Sequence, residues 1–238
     1  MENLSTSVGI ITYDHSHLKT EQILHRLSLR AQFSHGPGVD IKLLALPFVH
    51  RAERNVLFQH RPDQSRAPST RELARFHDFE FLSCTYDSIP DVADYYLVAG
   101  AGIFSNAAIG KKKIINCHPG IIPSARGLDS FKWAILGQIP LGVTLHYIDA
   151  EVDAGQTLEI VETPLFPDDD LEVLARRHYE LELEVLCEFM SILNKPNRAI
   201  SHYPSNPARR RMPIDLEREM IAQFPCYKER FAANSVRV

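Results

Sequence analysis

The segment Ile115 to Gly120, with the sequence INCHPG, places an asparagine and a histidine two positions apart. Side chains at positions i and i+2 of a strand point to the same face, so Asn116 and His118 are expected to project together from the carboxyl end of a strand. An amide can donate a hydrogen bond to an oxygen that develops negative charge, and an imidazole can exchange a proton near neutral pH. The spacing therefore indicates a reaction site, although a lone histidine is more often a structural residue and the neighbouring motifs must decide.

Three motifs follow His118 and decide the interpretation. The first is a Pro-x-x-Arg-Gly turn, made by Pro123, Arg126 and Gly127 after Ile122. The second is a Gly-Val-Thr-x-His run, made by Gly142, Val143, Thr144 and His146. The third is an Asp-x-Gly corner, made by Asp153 and Gly155. Together with Asn116, His118 and Pro119, this arrangement resembles the folate-dependent formyltransferase family, which includes glycinamide ribonucleotide, methionyl-tRNA and sugar-nucleotide N-formyltransferases. The resemblance is close over residues 94–166, follows the earlier strands only in their order, and hardly extends beyond Leu193.

The resemblance implies transfer of a formyl group from N10-formyltetrahydrofolate to an amine, with no metal expected. It assigns three catalytic residues. Asn116 would donate to the oxyanion, and Asp153 would raise the imidazolium fraction of His118, orient its ring or hold a water molecule. His118 would take the proton from the attacking amine or, once charged, support the oxyanion, and the sequence leaves these two roles open.

The resemblance also implies two binding regions. The folate site is expected in the loop after the fourth strand and in the loop before Asp153, at Gly102, Ile103, Phe104, Asp149, Ala150 and Val152. Many relatives have an arginine where this chain has Ile103, so one polar contact to the folate tail is expected to be missing. The acceptor site is expected at Gly120, Ile121, Pro123, Arg126, Gly127 and Lys132, with Lys132 facing a diphosphate.

Three acceptors compete within this family. A tRNA formyltransferase is expected to carry a substantial basic C-terminal domain, whereas the net charge here is -4. The wording HPGIIPSARG, with Gly120 where purine enzymes usually have serine, resembles the enzymes that act on amino sugars linked to nucleoside diphosphates, as used for bacterial surface polysaccharides such as the lipopolysaccharide O-antigen. Phosphoribosylglycinamide formyltransferase of purine synthesis is the alternative enzyme, and an inactive ligand-binding or assembly protein is the alternative from another class.

The elements that must position these residues read as an α/β fold. Apolar, β-branched runs separated by helical stretches predict a doubly wound, mostly parallel sheet, with strands at residues 8–13, 40–48, 79–84, 94–100, 112–117, 142–149 and 157–166. Helices are predicted after the first strand, at SFKWAILG, and after the aspartate cluster PDDD. A catalytic core over residues 1–193 and a small C-terminal subdomain or tail over 194–238 are expected, the latter packing on the core or forming a homodimer contact.

Two further features have open interpretations. The interval between the second and third strands carries Arg51, Arg54, Arg61, Arg66 and Arg71, which fit either a ligand site at the carboxyl end of the sheet or a solvated charged face. His146 fits either a core position or a supporting role in the site.

Composition limits the function classes. With 45% hydrophobic and 24% charged residues and a net charge of -4, the chain is typical of a globular protein and not of a nucleic-acid binder. Its four cysteines have no CxxC spacing, and no apolar run approaches the roughly 20 residues that span a bilayer. The N-terminus lacks a signal-peptide pattern, so a cytoplasmic location with small-molecule partners, no nucleic acid and no membrane is expected.

Overall fold

The computed structural model describes residues 6–33, 39–50, 54–149, 153, 155–195 and 203–232. Seven strands form one sheet: β1 (Thr6–Tyr13), β2 (Val39–Leu46), β3 (Glu80–Ser83), β4 (Tyr95–Val98), β5 (Ile114–His118), β6 (Gly142–Tyr147) and β7 (Thr157–Glu162). Their order is β3-β2-β1-β4-β5-β6-β7. The pairs from β3 through to β5 are parallel and the β6–β7 pair is antiparallel, which confirms the predicted mostly parallel α/β sheet.

Seven helices accompany the strands: α1 (Leu18–Phe33), α2 (Thr70–His77), α3 (Asn106–Ile109), α4 (Ser130–Leu136), α5 (Leu171–Cys187), α6 (Phe189–Leu193) and α7 (Ile214–Phe231). The helices predicted after β1, after the acceptor loop and after the aspartate cluster correspond to α1, α4 and α5. The Asp170 side chain caps α5 by accepting a hydrogen bond from the Val173 amide at 2.7 Å. None of these helices, within the described ranges, has the length and apolarity needed to cross a membrane.

The sequence analysis did not predict α2, α3 or α7. For α2 a signal was present, because Ser69 and Glu72 form a capping box in which each side chain accepts a hydrogen bond from the other residue's amide. For α7 the internal Pro225 and the proline-rich and arginine-rich stretch before it favoured a linker instead. A proline inside a helix removes one backbone hydrogen bond, so burial of its apolar side chains must support this helix.

The chain divides into two compact units. The first comprises residues 1–51, 63–116 and 147–151 and holds β1 to β4 with α1 to α3. Its core packs side chains of the strands, including Ile11, Leu44 and Tyr96, against Phe104 and Ile109 from the segment after β4. The hydroxyl of buried Tyr96 accepts the Val92 and Ala93 amides at 2.9 and 3.1 Å, which fixes the turn that leads into β4.

The second unit comprises residues 52–62, 117–146 and 152–238. Its core joins Phe131 and Ile135 of α4 to Leu174 of α5 and to Met220 and Phe224 of α7. Helix α7 therefore packs on the core, which is one of the two roles expected for the C-terminal segment. The expected division of the chain at residue 193 stays a prediction.

A buried carboxylate attaches α7 to the rest of the second unit. Glu217 is fully buried, and its two oxygens contact the Lys132 ammonium at 2.6 Å and the Leu57 amide at 2.7 Å. Arg54 lies 3.9 Å from the same carboxylate. The expected contact of Lys132 with a diphosphate is therefore wrong, because Lys132 is itself buried and its charge is paired with Glu217.

The other arginines between β2 and β3 also pair within the protein. Arg61 pairs with buried Glu182 of α5, and Arg71 contacts Asp14 at 2.6 Å. Arg66 contacts Asp63 at 3.2 Å, and Arg51 lies outside the described residues. Arg66 and Arg71 are 83% and 54% exposed and fit the solvated charged face, whereas Arg54 and Arg61 pair with buried carboxylates.

We predict that Glu217→Gln lowers the free energy of unfolding by about 3 kcal/mol, because it leaves the Lys132 ammonium buried without a charged partner. Glu219→Gln, on an exposed position of the same helix, is the matched control and is expected to change stability by less than about 0.5 kcal/mol. Chemical denaturation of the three proteins measures both values. Equal stability of the two variants would contradict the structural role of the ion pair.

Candidate active site

Strand β5 positions Asn116 and His118 as the sequence predicted. Both lie on this strand two residues apart, with Asn116 half-buried and His118 buried. The strand ends at His118 because Pro119 and Gly120 turn the chain away. At Gly120 any side chain would lie 2.3 Å from the Ala125 carbonyl oxygen and 2.9 Å from the His118 ring, so only glycine allows the chain to return this closely beside the histidine.

The His118 imidazole lies between two hydrogen-bond acceptors. Its Nε2 atom is 2.7 Å from the Ala125 carbonyl oxygen, and its Nδ1 atom is 3.4 Å from Oδ1 of Asp153. A carbonyl oxygen can only accept a hydrogen bond, and the same is true of an ionised carboxylate. The Nε2 atom therefore carries a proton when it contacts Ala125, and Nδ1 is the ring atom that faces the Asp153 carboxylate.

Asp153 is itself held by several groups. Its Oδ2 accepts a hydrogen bond from the Gly127 amide at 2.9 Å, while Oδ1 faces both His118 and, at 3.9 Å, Nε2 of His146. Its backbone has a φ of 50°, in the left-handed region that aspartate tolerates better than most residues. His146, whose role the sequence left open, therefore lies beside the Asp153 carboxylate.

Thr144 of the Gly-Val-Thr-x-His motif fixes the corner after His118. Its hydroxyl donates to the Gly120 carbonyl at 2.7 Å and accepts the Ile122 amide at 3.0 Å. All of these groups are buried, where an unpaired polar atom is costly. The motif thus supplies Thr144, which holds the corner through two hydrogen bonds, and His146, which lies beside the Asp153 carboxylate.

His178 of α5 supports the same corner, and the sequence analysis missed it. Its Nδ1 accepts from the Thr163 hydroxyl at 2.7 Å, and its Nε2 donates to the Pro119 carbonyl at 3.3 Å. Burial lowers the pKa of His178 to about 4, although Glu182 and the Pro119 carbonyl oppose this shift. The ring is therefore neutral near pH 7 and serves as a structural donor. In the sequence it stood among the apolar positions of a helix, with nothing to separate it from a core residue.

The residues expected at the acceptor site differ in their placement. Pro123, Arg126 and Gly127 are half-buried in the loop between β5 and α4. Ile121, in contrast, has a fully buried side chain. The expected contact of the Ile121 side chain with an acceptor is therefore wrong, because that side chain packs in the interior. The contact expected of Lys132 is wrong as well.

The residues expected at the folate site lie in the first unit where the structure describes them. Gly102 and Ile103 are exposed on the loop that follows β4, and Ile103 is 75% exposed. Asp149 is exposed after β6. Phe104 is buried in the core of this unit beside Tyr86, so its expected role as a ligand surface is corrected to packing. Ala150 and Val152 lie outside the described residues.

Comparison of the sequence with known proteins gives matches in its central part. A family model described as formyl transferase matches residues 92–190. The methionyl-tRNA formyltransferase of Koribacter versatilis is 37% identical over 106 residues, which are 44% of this chain and 33% of that protein. The phosphoribosylglycinamide formyltransferase of Haemophilus influenzae is 35% identical over 74 residues, or 31% of this chain and 35% of that protein. Each match thus spans about a third of the relative's length.

Comparison of the structure extends the similarity to most of the chain. A sugar N-formyltransferase from a Shewanella species has a TM-score of 0.58 at 16% identity, and a 4-N formyltransferase from Francisella tularensis has a TM-score of 0.59 at 15% identity. Each comparison covers 92% of this chain and 87% of the other. At these identities the similarity shows a shared fold. The segment 92–190, which contains Asn116, His118 and Asp153, is the part of the chain that matches the formyl transferase family model.

Proposed function

We propose that the protein transfers a formyl group from N10-formyltetrahydrofolate to the amino group of an amino sugar linked to a nucleoside diphosphate. The observation that carries this proposal is the His118 ring, which lies between the Ala125 carbonyl and the Asp153 carboxylate. Asn116 precedes it by two residues on β5. A cation and an amide donor that follow one another on one strand are suited to stabilise negative charge on oxygen.

The donor supplies an activated formyl carbon, and the exposed residues Gly102, Ile103 and Asp149 would hold it. Attack by the acceptor amine forms a carbon–nitrogen bond and places negative charge on the formyl oxygen. Breaking the bond to N10 then restores the carbonyl, while the amine gives up a proton and N10 gains one. The Asn116 amide would donate to the charged oxygen, an interaction worth on the order of 3 kcal/mol in comparable oxyanion sites.

The contacts of His118 give its two nitrogens different tasks in this proposal. Nε2 is held by the Ala125 carbonyl, so Nδ1, which faces Asp153, is the ring atom at which a proton can be exchanged. When both nitrogens carry a proton, His118 supports the developing oxyanion as a cation, and Asp153 faces that charge.

The acceptor class rests on the sequence wording around Gly120, where the chain reads HPGIIPSARG. The similarity to a sugar N-formyltransferase and to a 4-N formyltransferase, each over 92% of this chain, agrees in fold. Phosphoribosylglycinamide is the second candidate, because a relative named phosphoribosylglycinamide formyltransferase is 35% identical to this chain over 74 residues. We place the reaction in the cytoplasm, in the synthesis of bacterial surface polysaccharides, as part of the same proposal.

We expect His118→Ala to reduce turnover by about 10²-fold to 10³-fold, the range found when a group that stabilises an oxyanion is lost. Asp153→Asn keeps an oxygen for the Gly127 amide but removes the charge that faces His118, so turnover falls. The control Asp87→Asn removes a charge from an exposed position elsewhere and leaves turnover unchanged. Steady-state rates measure these effects, and near-normal turnover of either site variant would show that its role is misassigned.

The acceptor is identified by supplying the unaltered protein with N10-formyltetrahydrofolate and one amine at a time. The panel contains amino sugars linked to UDP, dTDP and GDP, together with glycinamide ribonucleotide, and mass spectrometry detects an added formyl group. Transfer to one of the sugar nucleotides is expected. Transfer to glycinamide ribonucleotide alone would replace the acceptor in the proposal, and transfer to none, with a donor shown to be active, would contradict it.

We expect Arg126→Gln to raise the KM for the acceptor about tenfold and to leave the KM for the folate donor unchanged. The reason is that a guanidinium in the half-buried loop beside His118 can pair with acceptor oxygens. Arg75→Gln, on an exposed position of α2, is the control for charge. Equal increases in both KM values would remove Arg126 from the acceptor site.

A further inference from the structure

The loop between β5 and α4 uses one side of its backbone to hold the catalytic pair. The Ala125 carbonyl accepts Nε2 of His118 at 2.7 Å, and the Gly127 amide donates to Oδ2 of Asp153 at 2.9 Å. The carbonyls of Pro123, Ser124 and Arg126 and the amide of Leu128, which lie between and beside these two groups, bond a different part of the chain.

Those groups are bonded to the segment that precedes α7. Asn206 donates its backbone amide to the Pro123 carbonyl at 3.1 Å and its side-chain amide to the Ser124 carbonyl at 2.9 Å. Arg209 donates to the Arg126 carbonyl and accepts the Leu128 amide, both at 2.9 Å. A stretch of the C-terminal segment thus runs parallel to the loop on the side away from His118 and Asp153.

Contact between the two segments is closest at Gly127. This residue has a φ of +89°, and a side chain there would lie 2.2 Å from the Arg209 carbonyl oxygen and 2.6 Å from its nitrogen. Glycine is required for both reasons. The backbone of Arg209 therefore lies directly behind the amide that holds Asp153.

The C-terminal stretch is anchored on its far side as well. The Met212 side chain is fully buried, and its amide donates to Asp129 at 2.9 Å. The indole of Trp133 donates to the Arg210 carbonyl at 2.8 Å, and the Arg209 guanidinium lies 4.8 Å from the centre of the same ring. The stretch is therefore fixed where Asn206 bonds the loop and again at Ile214, where α7 begins with its own buried contacts.

We propose that residues 203–213, named here the clamp segment, position the catalytic pair. By bonding the outer side of the loop, the clamp segment holds the Ala125 carbonyl and the Gly127 amide where His118 and Asp153 require them. The segment lies beyond residues 92–190, the part that matches the formyl transferase family. The proposal rests on the proposed function, and its positioning residues are Asn206 and Gly127.

Two variants test the clamp segment in the full chain. Gly127→Ala displaces the Arg209 backbone and is expected to lower kcat about 10²-fold, the effect of moving a catalytic group by about 1 Å. Asn206→Ala removes a single hydrogen bond and is expected to lower kcat about fivefold. In both variants the KM for the folate donor stays unchanged, because the displaced loop holds His118 and Asp153 and not the donor residues.

Gly110→Ala is the matched control. Gly110 also has a positive φ, 51°, but a side chain there meets no atom closer than 3.6 Å. This variant carries the backbone strain of an alanine at positive φ without touching the clamp segment. It is expected to lose some stability while keeping its kcat.

A readout without turnover separates this proposal from the proposed function. Histidine-selective NMR follows the His118 ring, and its chemical shifts at one fixed pH are expected to move in Gly127→Ala and Asn206→Ala but not in Gly110→Ala. An unaltered protein that transfers no formyl group, with this pattern intact, would refute the function and keep the clamp. Unchanged His118 shifts and an unchanged kcat in Asn206→Ala would overturn the clamp, even if Gly127→Ala did not fold.

Discussion

The His118 imidazole lies between two acceptors, the Ala125 carbonyl and the Asp153 carboxylate, and the site depends on this arrangement. Thr144 and His178 bond the corner after the histidine, while the Gly127 amide and His146 flank the carboxylate. The arrangement thus depends on a loop with little regular structure, because that loop supplies the Ala125 carbonyl and the Gly127 amide.

A loop of this kind has to be stabilised from outside, and the second unit does so with buried polar contacts. Glu217 binds Lys132 and the Leu57 amide, and thereby attaches α7 to α4. The clamp segment precedes α7 and bonds the loop between β5 and α4, so it connects that loop to α7. A buried ion pair adds less net stability than its short distance suggests, because both charges lose their hydration. It does, however, select one arrangement of the C-terminal segment over others.

Much of this was predictable from local patterns, and the remainder depended on distant partners. Period-two alternation and the following Pro-Gly placed Asn116 and His118 on one face of a strand, and the aspartate cluster marked the start of α5. Lys132 was misread because its partner Glu217 is 85 positions away, and a lysine alone looks like a phosphate ligand. Phe104 and His178 depended likewise on packing, and Pro225 concealed α7. Local sequence specifies elements and motif residues, whereas buried pairs appear only once the chain has folded.

The most direct test is which ring nitrogen of His118 carries a proton in the unaltered protein, measured from the ¹⁵N shifts of both nitrogens under the conditions of turnover. Nε2 is expected to carry a proton, because the Ala125 carbonyl that it contacts can only accept. A neutral ring with its proton on Nδ1 alone would contradict the arrangement on which the site depends.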